Sequence, residues 1–224
     1  MRLVMYGGGH DFENRDLDAE LIKLVDKTTA QMTFIPADSY MSHMDFQEVV
    51  EQYRPQGIKK FIHFPIDIPF TEVLKQEAFS SDIIHLSGGN TYSFLNSLRK
   101  AKLLGDIKDF IKRGGVLTGL SAGAILMTQT IATAGFPDFD RDENEENIRN
   151  LNALNLVNFE FFPHYRNSKR YEKALIDYSK KVNKPVYGCP DGAGIIVNFD
   201  KTTFIGKIHC FYQGKKFLVK SPIL

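Results

Sequence analysis

The sequence predicts an α/β protein with a mostly parallel, twisted sheet, helices on both faces and an antiparallel edge at the C-terminal end. Short apolar runs alternate along the chain with segments whose apolar residues recur at helical spacing, a pattern typical of parallel strands joined by crossover helices. The tail instead contains consecutive short strand patterns separated by turn residues, which is typical of antiparallel pairing. The length of 224 residues favours one domain over residues 1–224.

The first half of the chain predicts four strands, each followed by a helix. The strands are predicted at 3–6, 31–36, 60–64 and 82–86, and the helices at 16–27, 44–53, 71–78 and 92–100. In an open α/β sheet, ligands bind outside the carboxyl ends of the strands. The residues that directly follow a strand are therefore the first candidates for function.

The second half predicts a fifth parallel strand and then a change of pattern. Strands are predicted at 115–120, 159–162, 185–189, 195–199, 203–205, 208–212 and a last one ending at Val219, with helices at 122–128 and from the residues after 166 to about 181. The acidic segment 133–150 reads mostly as a solvated loop.

Ser121 lies on the predicted turn between the fifth strand and its helix, and Gly119 and Gly123 flank it in the pattern G-x-S-x-G. This pattern is typical of the nucleophile elbow, in which a tight strand-to-helix turn displays a serine hydroxyl above the sheet. A serine that only packs between the strand and the helix is the alternative. The N–H groups that follow lie at a helix N-terminus, where they can stabilise an oxyanion.

Two glycine-rich turns follow other strands. Gly7-Gly8-Gly9 leaves the first strand, but Phe12 stands where the third glycine of a dinucleotide fingerprint would be, so a close-approach turn at the rim of the site is favoured over a phosphate cradle. Ser87-Gly88-Gly89-Asn90-Thr91 leaves the fourth strand. Its glycines allow converging N–H groups and Asn90 is a good helix N-cap, so this turn is a second oxyanion candidate.

A serine nucleophile needs a base, usually a histidine oriented by a carboxylate. Of six histidines, His164 follows a strand end and His209 lies in a predicted edge strand. The others are predicted in apolar strands, a helix and a turn: His63, His85, His43 and His10. Asp191, between Pro190 and Gly192, suits either base. The residues leave two orders open, Ser121, His164, Asp191 and Ser121, Asp191, His209.

Five motifs together resemble the peptidase E family of serine peptidases, which includes aspartyl dipeptidases and the related cyanophycinases. They are Ser-Gly-Gly-Asn-Thr at 87–91, Gly-Leu-Ser-Ala-Gly-Ala at 119–124, Leu-Asn-Ala-Leu-Asn-Leu at 151–156, Phe-Phe-Pro-His-Tyr at 161–165 and Gly-Cys-Pro-Asp-Gly at 188–192. The resemblance implies a flavodoxin-like fold similar to class I glutamine amidotransferases. It also implies Ser121 as nucleophile, His164 as base, Asp191 as orienting acid, and Gly89 and Ala122 as oxyanion donors.

The resemblance further implies hydrolysis of small peptides through an acyl-enzyme, with N-terminal or iso-linked aspartate as candidate substrate groups. Gly88 and Asn90 would lie beside the substrate. Dipeptidases of the family typically carry glutamate where Asp191 stands, and an arginine for the substrate carboxylate follows their histidine. Here Arg170 is the candidate match, with Arg166 also near. The alternative is that both arginines lie on the solvated face of a helix.

Composition excludes several other classes of function. Lys plus Arg number 28 and Asp plus Glu number 27, so no global charge favours nucleic acid or an anionic membrane. Neither cysteine has metal-ligand spacing, and we expect no metal or organic cofactor. The absence of signal-peptide and transmembrane patterns predicts a cytoplasmic protein. We expect a monomer or homodimer with a small peptide as its partner. The rival functions are a non-peptide acyl hydrolase and a catalytically silent amidotransferase-like binding domain.

Overall fold

The computed structural model describes residues 1–219, which contain two β-sheets, seven α-helices and one short 3₁₀ helix at Ala132–Gly135. The strands are β1 (Arg2–Tyr6), β2 (Ala30–Ile35), β3 (Ile58–His63), β4 (Ile83–Leu86), β5 (Val116–Leu120), β6 (Glu160–Phe162), β7 (Val186–Gly188), β8 (Gly194–Asn198), β9 (Lys201–Ile205), β10 (His209–Tyr212) and β11 (Lys215–Leu218). The helices are α1 (Arg15–Val25), α2 (Ser42–Tyr53), α3 (Glu72–Phe79), α4 (Thr91–Lys100), α5 (Leu104–Lys112), α6 (Ala122–Ile125) and α7 (Lys169–Ser179). Within these residues, no helix has the length and apolar character needed to cross a membrane.

The central sheet has seven strands in the order β3-β2-β4-β5-β1-β8-β9. Its first five strands are parallel, and β8 and β9 add an antiparallel edge beside β1. This confirms the predicted fold class, a mostly parallel α/β sheet with an antiparallel edge.

A second sheet departs from the prediction. It has four strands in the order β11-β10-β7-β6, so β10 and β11 do not extend the antiparallel edge as expected. Instead β10 pairs antiparallel with β7, while β6 and β7 pair in parallel. The reason is a separate small core, in which α7 supplies Tyr171 and Leu175 against Val186 and Phe211.

Both faces of the central sheet are buried, which explains why its strands read as continuous apolar runs. In β1, Leu3 and Met5 belong to the hydrophobic core on one face, and Val4 and Tyr6 to the core on the other. Burial on both faces makes β1 and β5 a fixed base for the turns that follow them.

Two helices differ from the sequence interpretation. Helix α5 was not predicted, although Ile107, Phe110 and Ile111 are buried at helical spacing. Helix α6 ends at Ile125 rather than at Thr128. Beyond it the backbone continues as a tighter turn, in which the Thr128 N–H donates to the Ile125 carbonyl at 3.0 Å. The Thr128 hydroxyl, with one proton to share, lies 2.9 Å from the Ile125 carbonyl and 2.7 Å from the Thr130 carbonyl.

Candidate active site

Four turns meet at one edge of the central sheet. Leu86 at the end of β4 pairs with Gly119 of β5, and Leu120 of β5 pairs with Tyr6 of β1. Gly194, the first residue of β8, lies opposite Tyr6. The turns after β4, β5 and β1 and the turn before β8 are therefore neighbours, as the architecture predicts for a ligand site.

Ser121 occupies a strained turn between β5 and α6. Its φ of 50° and ψ of −106° lie outside the regions that L-residues normally adopt. A Cβ on Gly119 would lie 2.5 Å from the carbonyl carbon of Gly123, and one on Gly123 would lie 2.3 Å from the carbonyl oxygen of Leu86. Both glycines of G-x-S-x-G are thus required for the close packing of strand and helix, which is the geometry of a nucleophile elbow.

A hydrogen-bonded relay joins Ser121, His164 and Asp191. His164 Nε2 lies 2.9 Å from Ser121 Oγ, and His164 Nδ1 lies 2.7 Å from Asp191 Oδ1. The His164 and Asp191 side chains are 46% and 45% exposed, so the relay is accessible from solvent. This arrangement can move a proton from the serine hydroxyl to an oriented imidazole.

The first glycine turn, Gly7-Gly8-Gly9, packs against His164 and Asp191 and fixes the backbone around them by hydrogen bonds. The Gly7 carbonyl accepts the His164 backbone N–H at 2.8 Å, and the Gly8 carbonyl accepts that of Gly192 at 3.1 Å. A Cβ on Gly8 would lie 2.2 Å from Asp191 Oδ1 and 2.3 Å from His164 Cε1. The turn is therefore a close-approach turn, as predicted, and the groups that approach it are the histidine and aspartate of the relay.

Gly89 and Ala122 present backbone N–H groups beside the serine. Neither N–H donates to a protein acceptor within residues 1–219. The Gly123 N–H donates to the Ser87 carbonyl at 3.1 Å, so the elbow and the second glycine turn are tied together. Two free N–H groups on two linked turns can stabilise a negatively charged oxygen.

The side chain of Asn90 makes hydrogen bonds within the protein through both its oxygen and its nitrogen. Its Oδ1 caps α4 by accepting from the N–H groups of Tyr92 and Ser93, both at 3.0 Å, and its Nδ2 donates to the Glu143 carbonyl at 2.8 Å. This places Asn90 as the anchor of the acidic segment. Gly88 lies against Leu120, on the other side of the turn from the serine cleft.

The serine opens into a cleft of about 540 Å³. The acidic segment forms one wall and is more ordered than the solvated loop that we expected. Asp142 Oδ2 accepts the Thr91 N–H at 2.7 Å, and Asp140 Oδ2 accepts the Tyr171 hydroxyl at 2.5 Å. Other carboxylates of the segment, such as Glu145 and Glu146, are exposed as predicted.

Three arginines lie near this cleft. Arg166 lines it, as does Arg141, which the sequence interpretation missed. The Arg170 guanidinium instead stacks 3.7 Å from the ring centre of Phe139, a cleft residue. Arg141 comes from the acidic segment, whose path depends on long-range hydrogen bonds, so no local pattern indicated it.

The alternative base lies elsewhere. His209 is buried in β10 with its ring 5.4 Å from that of Tyr165. His85 and His63 stack on Phe34 and Phe46 and take no part in the relay. Among the described residues the structure therefore brings Ser121 together with His164, and not with His209.

Peptidase family S51 matches residues 3–205. The chain belongs to this family. It is also similar over a short segment to peptidase E from Salmonella arizonae, 47% identical over 53 residues, and to peptidase E from Escherichia coli K12, 43% identical over 54 residues. These matches span only 23% and 24% of the lengths of those curated relatives.

Two solved structures share the fold of this S51 member. One is a crystal structure of a protein assigned as peptidase E from Listeria monocytogenes EGD-e, with a TM-score of 0.72, 21% identity and coverage of 91% of this chain and 97% of that chain. The other is a peptidase from an acI-B1 Actinobacterium, with a TM-score of 0.71, 16% identity and coverage of 98% and 94%. Both structures thus share the architecture of this chain over more than nine tenths of its length.

Proposed function

We propose that this S51 protein is a serine peptidase that hydrolyses small peptides through Ser121, His164 and Asp191. The observation that supports this most strongly is the relay, with its two contacts of 2.9 and 2.7 Å. These contacts are within hydrogen-bond reach for nucleophile and base and for base and orienting acid. Membership of a peptidase family points to the same chemistry.

In the proposed reaction, Ser121 Oγ attacks the carbonyl carbon of the scissile amide while His164 Nε2 takes its proton. The imidazolium then gives that proton to the amine nitrogen, the C–N bond breaks and the amine leaves. Water then attacks the acyl carbonyl carbon while His164 Nε2 takes its proton, the bond between that carbon and Ser121 Oγ breaks, the acid product leaves, and His164 returns the proton to Ser121 Oγ. Asp191 keeps the Nδ1 proton in place throughout.

The backbone N–H groups of Gly89 and Ala122 are proposed to hold the oxyanion that forms on the carbonyl. Such donors stabilise the transition state more than the substrate, and losing one typically raises the barrier by about 3–4 kcal/mol. Because both are backbone groups, their role depends on the two turns keeping their relative position.

The cleft favours short substrates of one or two residues on each side of the scissile bond. Its volume of about 540 Å³ is in the usual range for small-molecule sites, and the acidic segment closes one side of it. Short peptides, of which dipeptides are the smallest, are therefore the proposed substrate class. Arg166, which forms no ion pair within residues 1–219, is the cleft residue proposed to bind a substrate carboxylate, such as that of an N-terminal or iso-linked aspartate. Arg141 already pairs with Asp138 at 3.2 Å and with Glu143 at 3.7 Å.

A dipeptide panel tests this function. It compares aspartyl, isoaspartyl and neutral N-terminal residues with matched ester substrates, using the native protein and Ser121→Ala. We expect dipeptide hydrolysis by the native protein only, and stoichiometric labelling of Ser121 by a phosphonate probe. If the probe labels Ser121 and the esters are hydrolysed but the peptides are not, the protein is an acyl hydrolase and not a peptidase. The absence of both would remove the enzymatic proposal.

A further inference from the structure

A second cavity, of about 530 Å³, lies against the back of the candidate active site. Its wall includes Gly9, Gly88 and Leu120. Each is the chain neighbour of a residue of the site, namely Gly8, Gly89 and Ser121. The cavity is thus separated from the serine cleft only by the turns that build the site, and the proposed peptidase mechanism leaves it unused.

Acidic side chains predominate around the cavity, and the basic side chains of its lining among the described residues are His10 and the buried His85. Four exposed carboxylates stand around it, from Asp11, Asp45, Glu48 and Glu51, and its lining within the described residues includes no lysine or arginine. None of the four forms an ion pair with another residue in the range 1–219. Like charges around one concave surface attract and concentrate cations.

Two buried polar groups on the cavity lining have no hydrogen-bond partner among the described residues. They are Asn14 Oδ1 and His85 Nδ1, in side chains that are only 3% and 5% exposed. Asn14 already uses its Nδ2 on the carbonyls of Gly9 and His10, which leaves its oxygen as a free acceptor. Burial lowers the pKa of His85 to about 4, so at neutral pH its ring is uncharged and one nitrogen is an acceptor.

The hydroxyl groups in the cavity lining already donate their protons to acceptors within the protein. Tyr6 and Tyr53 each donate to Asp18 Oδ1 at 2.9 Å, with their own oxygens 3.2 Å apart, and the Ser87 hydroxyl donates to the Gly88 carbonyl at 2.7 Å. The lining hydroxyls therefore offer a ligand no free proton. The carboxylates at the mouth are acceptors as well. A ligand that matches such a wall brings donors and positive charge, which is the character of an ammonium group.

We propose that this cavity binds a small organic cation that carries a protonated amine. A metal ion is disfavoured because no group of three or more ligating side chains within residues 1–219 is arranged to hold one. The volume accommodates a ligand of the size of an amino acid or a short diamine. The amine is supplied by a bound peptide or by a free amine, and the second arm of the test distinguishes the two.

The first arm measures binding to Ser121→Ala protein by calorimetry, so it does not depend on turnover. The probe is 1,5-diaminopentane, with 1,5-pentanediol as the neutral isostere and glutarate as the anionic one. We expect saturable binding of the diamine, at least about tenfold weaker binding of the diol and none of glutarate. The His85 ring signals in NMR should shift with the diamine, because a cation held only at the surface would not reach this buried side chain.

A charge-removing pair locates the site. Asp45→Asn with Glu48→Gln should weaken diamine binding by about tenfold. Glu72→Gln with Glu77→Gln on α3 changes the net charge equally, away from the cavity, and should leave the affinity unchanged. Equal affinity for diamine and diol, equal weakening by both pairs, or His85 signals that do not move would each overturn the proposal.

The second arm rests on the proposed function and uses native protein with a hydrolysed dipeptide. Competitive inhibition by the diamine that is weakened by Asp45→Asn with Glu48→Gln assigns the site to the amine of a bound peptide, whereas competitive inhibition that this pair leaves unchanged places the competing diamine in the serine cleft and overturns that assignment. Noncompetitive inhibition, or binding with no inhibition, supports the site and assigns it to a free amine. If no peptide is hydrolysed, the proposed function fails while the first arm still decides the cavity.

Discussion

At the scale of single residues, Gly8 sets the position of the histidine and the aspartate. A side chain there would overlap Asp191 Oδ1 and His164 Cε1, and its φ of +135° is strained for any other residue. Gly8→Ala should therefore lower kcat/KM by about 100-fold or more, because a displacement of about 1 Å in catalytic groups has effects of that order. Steady-state kinetics on a dipeptide measures this.

The matched control is Gly105→Ala on α5, where a Cβ would meet no atom within 4 Å. It should leave kcat/KM unchanged and stabilise the helix by about 0.5–1 kcal/mol. Circular dichroism of both variants separates a displaced relay from a lost fold. Native-like kinetics for Gly8→Ala would show that the relay tolerates movement and would weaken its proposed role.

Asp191 is the second residue whose exchange is informative. Asp191→Asn should lower kcat by about 10⁴, since an amide favours the wrong imidazole tautomer, with little change in KM. Asp191→Glu adds one methylene to a contact that is already 2.7 Å long, and Gly8 leaves no room beneath it. We expect Asp191→Glu to lose at least about tenfold in kcat, despite the glutamate common in the family. Full activity in Asp191→Asn would show that the aspartate is not the orienting acid.

His164→Ala and His209→Ala separate the two orders that the sequence left open. His164→Ala should remove nearly as much kcat as Ser121→Ala, because relay members act as a unit. His209→Ala should change kcat by less than about tenfold, since its ring packs against Tyr165 and not against the serine. A larger loss in His209→Ala than in His164→Ala would reverse the assignment.

At the scale of elements, the acidic segment is held to α4 by Asp142. Its carboxylate accepts the Thr91 N–H at the positive end of the helix, an interaction worth about 1 kcal/mol. Asp142→Ala should lower the free energy of unfolding by about that amount and raise KM several-fold, because the cleft wall loosens. Urea denaturation and steady-state kinetics measure the two effects.

Glu146→Ala is the control for this element. Glu146 is an exposed carboxylate of the same segment, so its loss alters the charge equally without untying the wall. It should leave both unfolding and KM close to native values. If Glu146→Ala raises KM as much as Asp142→Ala, the effect comes from charge and not from the anchoring of the segment.

The predictability of each element depended on how local its determinants are. Strands β1 and β5 could be read because burial on both faces produces continuous apolar runs, and Ser121 could be read because its turn requires Gly119 and Gly123. The second sheet could not, since β6 and β7 have only three residues each. Such short strands can join either sheet, and the choice depends on how α7 packs against them, which their own few residues do not specify.

In the candidate site too, the residues placed by local sequence could be predicted and those placed by distant contacts could not. His164 and Asp191 follow strand ends, so local pattern and family resemblance together indicated them. Arg141 was missed because the acidic segment is placed by contacts far apart in the chain, such as Asp140 with Tyr171. Arg170 was indicated by its distance from His164 along the chain, but the turn into α7 directs it over Phe139.

At the scale of the whole molecule, the net charge is near zero, but the charged side chains are distributed unevenly between the two recesses. The serine cleft contains charges of both signs, from Arg141 and Arg166 and from Asp140 and Asp142, whereas the cavity behind it is lined by carboxylates and by no lysine or arginine among the described residues. The two recesses share the turns after β1, β4 and β5. Occupation of one is therefore expected to affect the geometry of the other.

The stability of the whole fold should depend on His85. Burial lowers its pKa from 6.5 to about 4, so the folded ring resists protonation that the unfolded chain accepts. Above pH 6.5 His85 is neutral in both states, and the free energy of unfolding is not reduced by its protonation. As the pH falls from 6.5 toward 4, the unfolded chain binds a proton there that the folded protein does not, and the free energy of unfolding falls progressively. A difference of about 2.5 in pKa corresponds to about 3 kcal/mol.

His85→Phe tests this, because phenylalanine keeps the stacking on Phe34, whose ring lies 5.8 Å away at an angle of 14°. Urea denaturation at pH 7 and pH 4.5 gives the free energy of unfolding of both proteins. Lowering the pH should destabilise the native protein more than His85→Phe by about 2–3 kcal/mol, while His43→Gln, at an exposed position of α2, should behave like the native protein. Since other titrating groups are common to both proteins, parallel losses in native protein and His85→Phe would show that this histidine is not the source of acid sensitivity.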